Sequence, residues 1–202
     1  MRTKCQAHAD AARKNRTTTP VKLPLLIALV STTPWACADE QTEQRLQFCK
    51  TCHRPGYSVS YVPTLDGQPR AYLFDQLMAF KEKRRPSDGH QRYWGPLSEK
   101  DMSAVADHFS ANPPVREFFD VDANKVAAGQ SKAQALQCAS CHQPDFAGKD
   151  SVPRLAGLQP QYAAGQIRAF TAGSRQHPRI DGKSGISQGD AESLGQYLAQ
   201  VR

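Results

Sequence analysis

Apolar positions along the chain fall into short helical stripes separated by Gly- and Pro-rich loops. In Ala71–Lys83, Leu73, Leu77 and Phe80 share one face and predict an amphipathic helix. Glu43 to Phe48 predicts a helix leading into a Cys-x-x-Cys pair. Ser98-x-x-Asp101 and Ser187-x-x-Asp190 have the form of capping boxes, with Asp where Glu is usual, and each predicts the start of a helix. Met102, Val105 and Phe109 line the first of these. Sustained alternation is lacking and β-branched runs are few, so the expected fold class is all-α.

The stripes repeat at an offset near 90. Cys49-Lys50-Thr51-Cys52-His53 matches Cys138-Ala139-Ser140-Cys141-His142, and Val62-Pro63-Thr64-Leu65-Asp66-Gly67 matches Val152-Pro153-Arg154-Leu155-Ala156-Gly157. Tyr72, Gln76, Leu77, Ala79, Phe80 and Arg85 match Tyr162, Gln166, Ile167, Ala169, Phe170 and Arg175. Two copies are too few for a solenoid. They predict two homologous domains, 39–112 and 123–202, joined by a linker over 113–122 that opens with Pro113-Pro114. Domains of this size need a staple beyond their own apolar core.

Residues 1–38 read as a removable leader. Arg2, Lys4, Arg13, Lys14, Arg16 and Lys22 stand against one acid, Asp10; Leu23 to Val30 is apolar; Ala36-Cys37-Ala38 is a small-residue cleavage pattern. The apolar stretch is too short to span a bilayer, so no transmembrane helix is expected in the mature chain. The whole chain carries 26 basic and 19 acidic residues, +7. Without the leader, 20 basic and 18 acidic residues leave +2. The basic balance thus belongs to the leader and gives no support to nucleic-acid binding.

Cys5 and Cys37 lie in the leader, and the other four of the six cysteines lie in the two pairs. C-x-x-C-H is a haem-attachment signal: two thiols bond to the porphyrin and the adjacent histidine lies under the iron. A zinc ribbon would not need histidine after both pairs and would hold them closer together. A thioredoxin-like redox pair requires an α/β context that is missing here. The cofactors expected are two covalently bound haem c groups, attached at Cys49, Cys52, Cys138 and Cys141, with His53 and His142 on the irons.

The order C-x-x-C-H, P-x-L-x-G, Tyr…Gln-Leu/Ile-x-Ala-Phe, G-x-R and L-S-x-x-D, given twice, resembles the dihaem cytochrome c4 family over about residues 45–110 and 126–200. The resemblance implies two tandem class I cytochrome c domains, each wrapped around a covalent haem. It also implies that the Pro63 and Pro153 carbonyls orient His53 and His142. Arg85 and Arg175 are either propionate neighbours or solvated charges. The family's distal methionine is missing: Met78 and Met102 lie within helices, as core residues. Counting forward from Arg85 and back from Leu97 places His90 at that ligand position, ahead of the competing His108, which is expected to be a packing residue. The second distal loop is one residue shorter; its nearest imidazole is His177, and the alternative is an open or water-bound iron. Pro178 restricts the backbone of His177, so the second iron is expected to be the more labile.

The function expected is that of a periplasmic electron carrier, not an enzyme. Its partners would be a redox donor and a redox acceptor, including a terminal oxidase or a membrane-bound dehydrogenase. The alternatives are a small haem enzyme or ligand sensor using an open second iron, and a fixed subunit of a membrane complex.

Overall fold

The structure, a computed structural model, describes residues 40–56, 61–86, 90, 97–115 and 117–202. The leader, with its Ala36-Cys37-Ala38 pattern, lies outside the described residues. Thr42–Arg202 forms one compact unit. The described elements are helical: α1 (Glu40–Cys52), α2 (Arg70–Lys81), α3 (Glu99–Ala111), α4 (Ala123–Ala135), α5 (Ala139–His142), α6 (Pro160–Thr171) and α7 (Gln188–Gln200). Among the described residues the β-structure is one isolated bridge, Lys149 to Val152.

In the first half, Leu46 of α1, Leu73 and Leu77 of α2, and Met102, Val105, Ala106 and Phe109 of α3 form one buried cluster. Met78 packs against this cluster as core, and His108 lies edge-on to the Phe109 ring at 5.2 Å. In the second half the apolar residues divide into two clusters, one around Ala133, Ile167, Ala191 and Leu194, the other around Phe146, Ala156, Ala163 and Leu198. Close helix approaches there depend on glycine. A Cβ on Gly129 of α4 would stand 2.1 Å from the Ser193 carbonyl oxygen of α7, and one on Gly195 of α7 would stand 2.3 Å from that of Pro160.

Both capping boxes form. Ser98 and Asp101 exchange side-chain and backbone hydrogen bonds at the start of α3, and Ser187 and Asp190 do so at α7. Helix α2 ends two residues before the sequence-based expectation because Lys83 adopts φ +60°. Gly173, its counterpart after α6, does the same at φ +72°. This left-handed residue ends the helix in each half and turns the chain back, so that the Arg85 and Arg175 amides donate to the Ala79 and Ala169 carbonyls. Helix α4 has no apolar stripe strong enough to have been expected; the Asp122 carboxylate starts it by accepting from the Asn124 and Lys125 amides.

Asp101 is 2% exposed and carries more than its cap. Burial alone would raise its pKa, but Ser98, Thr42 and the Arg45 guanidinium hold the carboxyl at about 2. Arg45 and Thr42 thereby fasten α1 to α3. Asp190 sits at the same place on α7, less buried, beside Lys132 of α4 at 3.1 Å. Asp101→Ala should therefore destabilise by about 2–3 kcal/mol, because it leaves the half-buried Arg45 without its partner and removes a cap. Asp190→Ala should cost only about 1 kcal/mol. Denaturant unfolding of the two variants measures the difference; equal losses would contradict this reading.

Candidate functional site

Each C-x-x-C-H segment is a tight helical turn in which the histidine amide donates to the first cysteine's carbonyl, at 3.1 Å in both halves. That turn directs the histidine ring inward. His53 Nδ1–H then donates to the Pro63 carbonyl at 2.8 Å, and His142 Nδ1–H to the Pro153 carbonyl at 2.9 Å. A carbonyl can only accept, so both rings carry their proton on Nδ1 and keep the Nε2 lone pair for a metal. The proline role implied by the resemblance is thus present as geometry.

The structure brings His90 to His53 and His177 to His142. The His53 and His90 ring centres are 5.8 Å apart with planes 10° from parallel; those of His142 and His177 are 6.2 Å apart with planes 11° from parallel. Two collinear metal–imidazole bonds of about 2 Å, plus roughly 1 Å from each nitrogen to its ring centre, would set such centres about 6 Å apart. Both pairs match that spacing. The shorter second loop delivers His177 as closely as the first delivers His90. Phe80 lies 5.8 Å from His90, and Phe170 lies 4.9 Å from His177.

All four imidazoles are neutral at neutral pH, as metal ligands must be. Burial is the largest cause for each. It lowers His53 and His142 against the opposing hydrogen bonds from Pro63 and Pro153. It takes His90 to about 4, helped by His53 and Arg85, and His177 to about 4, helped by His142 and Arg175. Burial also pushes the Cys49 thiol up to about 11 and raises that of Cys138. Such sulfurs are poor thiolate ligands. Among the described residues no three His, Cys, Asp or Glu side chains gather into a metal cluster. Two opposed imidazoles without further protein donors call for a group that brings its own equatorial ligands.

The space for that group is a continuous cavity of about 620 Å³ reaching all four histidines, with apolar walls that include Leu65, Leu73, Leu77 and Ile167. Between the halves lies a crossed polar network. Arg85 donates to Gln76 Oε1 of its own half at 2.8 Å, and to Gln166 Oε1 and Tyr162 Oη of the other at 3.0 and 3.1 Å. Arg175 mirrors it, reaching Gln166 at 2.6 Å, Gln76 at 2.9 Å and Tyr72 at 3.1 Å. The guanidiniums lie over Phe80 and Phe170 at 4.5 and 4.7 Å. Neither is a solvated charge, and among the described residues neither meets a carboxylate. Two desolvated cations with neutral partners fit a cofactor that brings carboxylates.

The glutamines and tyrosines of this network were not singled out as functional by the sequence reading. The signal was present: Tyr, Gln and Arg recur at matched positions beside an otherwise apolar helix face. Gln68 also bridges the halves, donating to the Arg154 carbonyl at 2.9 Å and accepting from its amide at 3.1 Å.

Comparison with known proteins agrees with this geometry. The cytochrome c family model matches residues 126–197. Cytochrome c-552 of Acidithiobacillus ferridurans is 29% identical over 168 residues, covering 75% of this chain and 72% of that one. The thiosulfate dehydrogenase electron acceptor of Stutzerimonas stutzeri is 29% identical over 170 residues, covering 76% and 78%. The solved structure of Acidithiobacillus ferrooxidans cytochrome c4 superimposes with a TM-score of 0.65 at 26% identity, over 76% of this chain and 98% of that one. With its repeated helical halves, two attachment motifs and two opposed imidazole pairs, the chain is similar to the dihaem cytochromes c4 over most of its length, and it is an electron-transfer protein with two covalently bound haems.

Proposed function

We propose that this protein is an exported electron carrier with imidazole on both faces of each iron: His53 and His90 at the first, His142 and His177 at the second. Cys49, Cys52, Cys138 and Cys141 are the attachment points. The observation that carries the assignment is the pair of near-parallel imidazole couples, 5.8 and 6.2 Å between ring centres. A histidine on each side of both positions favours electron transfer over an enzyme or sensor with an open iron.

Each bound haem supplies a one-electron ferric–ferrous couple. The chain's own residues decide how that couple behaves. Pro63 and Pro153 fix the proximal rings, so that little moves when charge changes. The apolar walls exclude water. Imidazole in place of thioether removes the axial ligand that raises the potential in His–Met cytochromes, which favours lower potentials here. The crossed Arg85–Gln166 and Arg175–Gln76 bonds hold the halves in register and keep the distance for transfer between them constant.

The division into domains 39–112 and 123–202 is supported by the placement of α1–α3 in the first span and α4–α7 in the second. Periplasmic location is supported by the leader pattern of residues 1–38 and by the kind of protein the relatives are. No helix among the described residues is long and apolar enough to cross a membrane. One relative is named as the electron acceptor of a thiosulfate dehydrogenase. The partners proposed are therefore a periplasmic dehydrogenase as donor and a terminal oxidase or other redox enzyme as acceptor.

Near-parallel axial imidazoles lift the near-degeneracy of the iron orbitals that face them. The oxidised protein should thus give two rhombic low-spin electron paramagnetic resonance signals. His90→Ala should abolish one and leave the other; an unchanged spectrum would contradict the assignment. A second outcome follows from the imidazole pKa values. Burial above all holds His90 and His177 at about 4 in the folded chain, against 6.5 for an ordinary imidazole, and iron ligation acts in the same direction. The unfolded chain therefore takes up more protons between those limits, and stability should fall as pH drops from about 6.5 to about 4. Urea midpoints of the oxidised protein should decline across that window, and less steeply in His90→Ala and His177→Ala. A midpoint that rises on acidification would contradict the account.

A further inference from the structure

The distal histidine of the second half differs from the two proximal ones in the sense of its hydrogen bonds. His53 and His142 each donate from Nδ1 to a carbonyl. His177 Nδ1 instead faces two donors, the backbone amides of Arg179 and Ile180, both at 3.1 Å. An amide N–H can only donate, so this nitrogen must present its lone pair. A neutral ring carries one proton, which then sits on Nε2, the nitrogen left to face His142. The imidazole serves as the cap of its own turn, His177-Pro178-Arg179-Ile180, in the manner of the side-chain-to-backbone bonds that stabilise short loops.

We infer that His177 is an exchangeable ligand, weakened because its own loop favours the tautomer that cannot bind iron. The inference rests on the proposal that His177 is the second distal ligand. To bind through Nε2, the ring must move its proton from Nε2 to Nδ1, with no net uptake or release. A protonated Nδ1 no longer accepts from the Arg179 and Ile180 amides, so ligation gives up both bonds of the turn. Two ordinary hydrogen bonds together weaken the ligand by about 30-fold. Pro178 restricts the backbone of His177, which limits how far the loop can relax to replace them. The second iron is then six-coordinate at rest but readily opened, without an open site being built into the fold.

Carbon monoxide titration of the fully reduced holoprotein tests this, with His177→Ala as the reference and the oxidised low-spin signals of both proteins recorded alongside. The phase altered by the substitution belongs to the second haem. The expected result is that the wild type takes up carbon monoxide at that haem with an affinity within about thirtyfold of His177→Ala, while the substitution abolishes one oxidised low-spin signal. If the substitution abolishes that signal but raises the affinity by more than about a thousandfold, or if the wild-type haem takes up none, His177 is a firm ligand and exchange is overturned. If both oxidised signals survive, His177 is not a ligand, and the assignment fails together with the inference. The readout that keeps the two apart is nitrogen magnetic resonance of the reduced wild type: a lone pair at Nδ1 in a fraction of molecules supports exchange, and a fully protonated Nδ1 overturns it.

Discussion

Two imidazoles facing each other across about 6 Å cannot be the end point of a protein core. Each would prefer closer packing. The spacing is stable only with a flat, apolar, metal-bearing group in the gap, and much of the structure serves that spacing. The helical turn of each C-x-x-C-H segment directs the proximal ring inward, and a proline carbonyl takes its Nδ1 proton. The left-handed residues Lys83 and Gly173 end the helices that carry Phe80 and Phe170, which lie beside the distal rings. The cluster around Phe109 and those around Leu194 and Leu198 are small cores beside the apolar-walled cavity that the four histidines line.

The same constraint explains why the halves are joined through polar groups. An apolar interface would hold them as well, but two guanidiniums with neutral partners suit a cofactor that brings carboxylates. Arg85 and Arg175 wait at the boundary with neutral partners, crossing to Gln166 and Gln76. The carrier's two redox centres and its mechanical joint therefore share one network.

How much of this was legible in the sequence depended on whether the signal was local. The attachment motifs, the capping boxes and the α2 and α3 stripes depend on residues a few positions apart, and they read directly. The place of His90 beside His53 follows from counting within a repeat, because the first loop keeps a fixed length on both sides. His177 was harder: the second loop has lost a residue, and no count can say whether the backbone compensates. Arg85 and Arg175 could not be told from solvated charges, since their partners lie about 80 to 100 residues away in the other half. The tautomer of His177 was illegible for the same kind of reason. It is set by two backbone amides whose direction only the folded turn determines.

The central claim is that imidazole, not thioether, completes both irons. Near-infrared magnetic circular dichroism of the fully oxidised holoprotein tests it most directly, because the charge-transfer band of a low-spin ferric haem reports the axial pair. The account predicts the bis-imidazole band from both haems and no intensity where an imidazole–thioether haem absorbs. A thioether band from either haem would mean that a methionine, Met78 or Met102, has left the first core to bind iron, and would contradict the account.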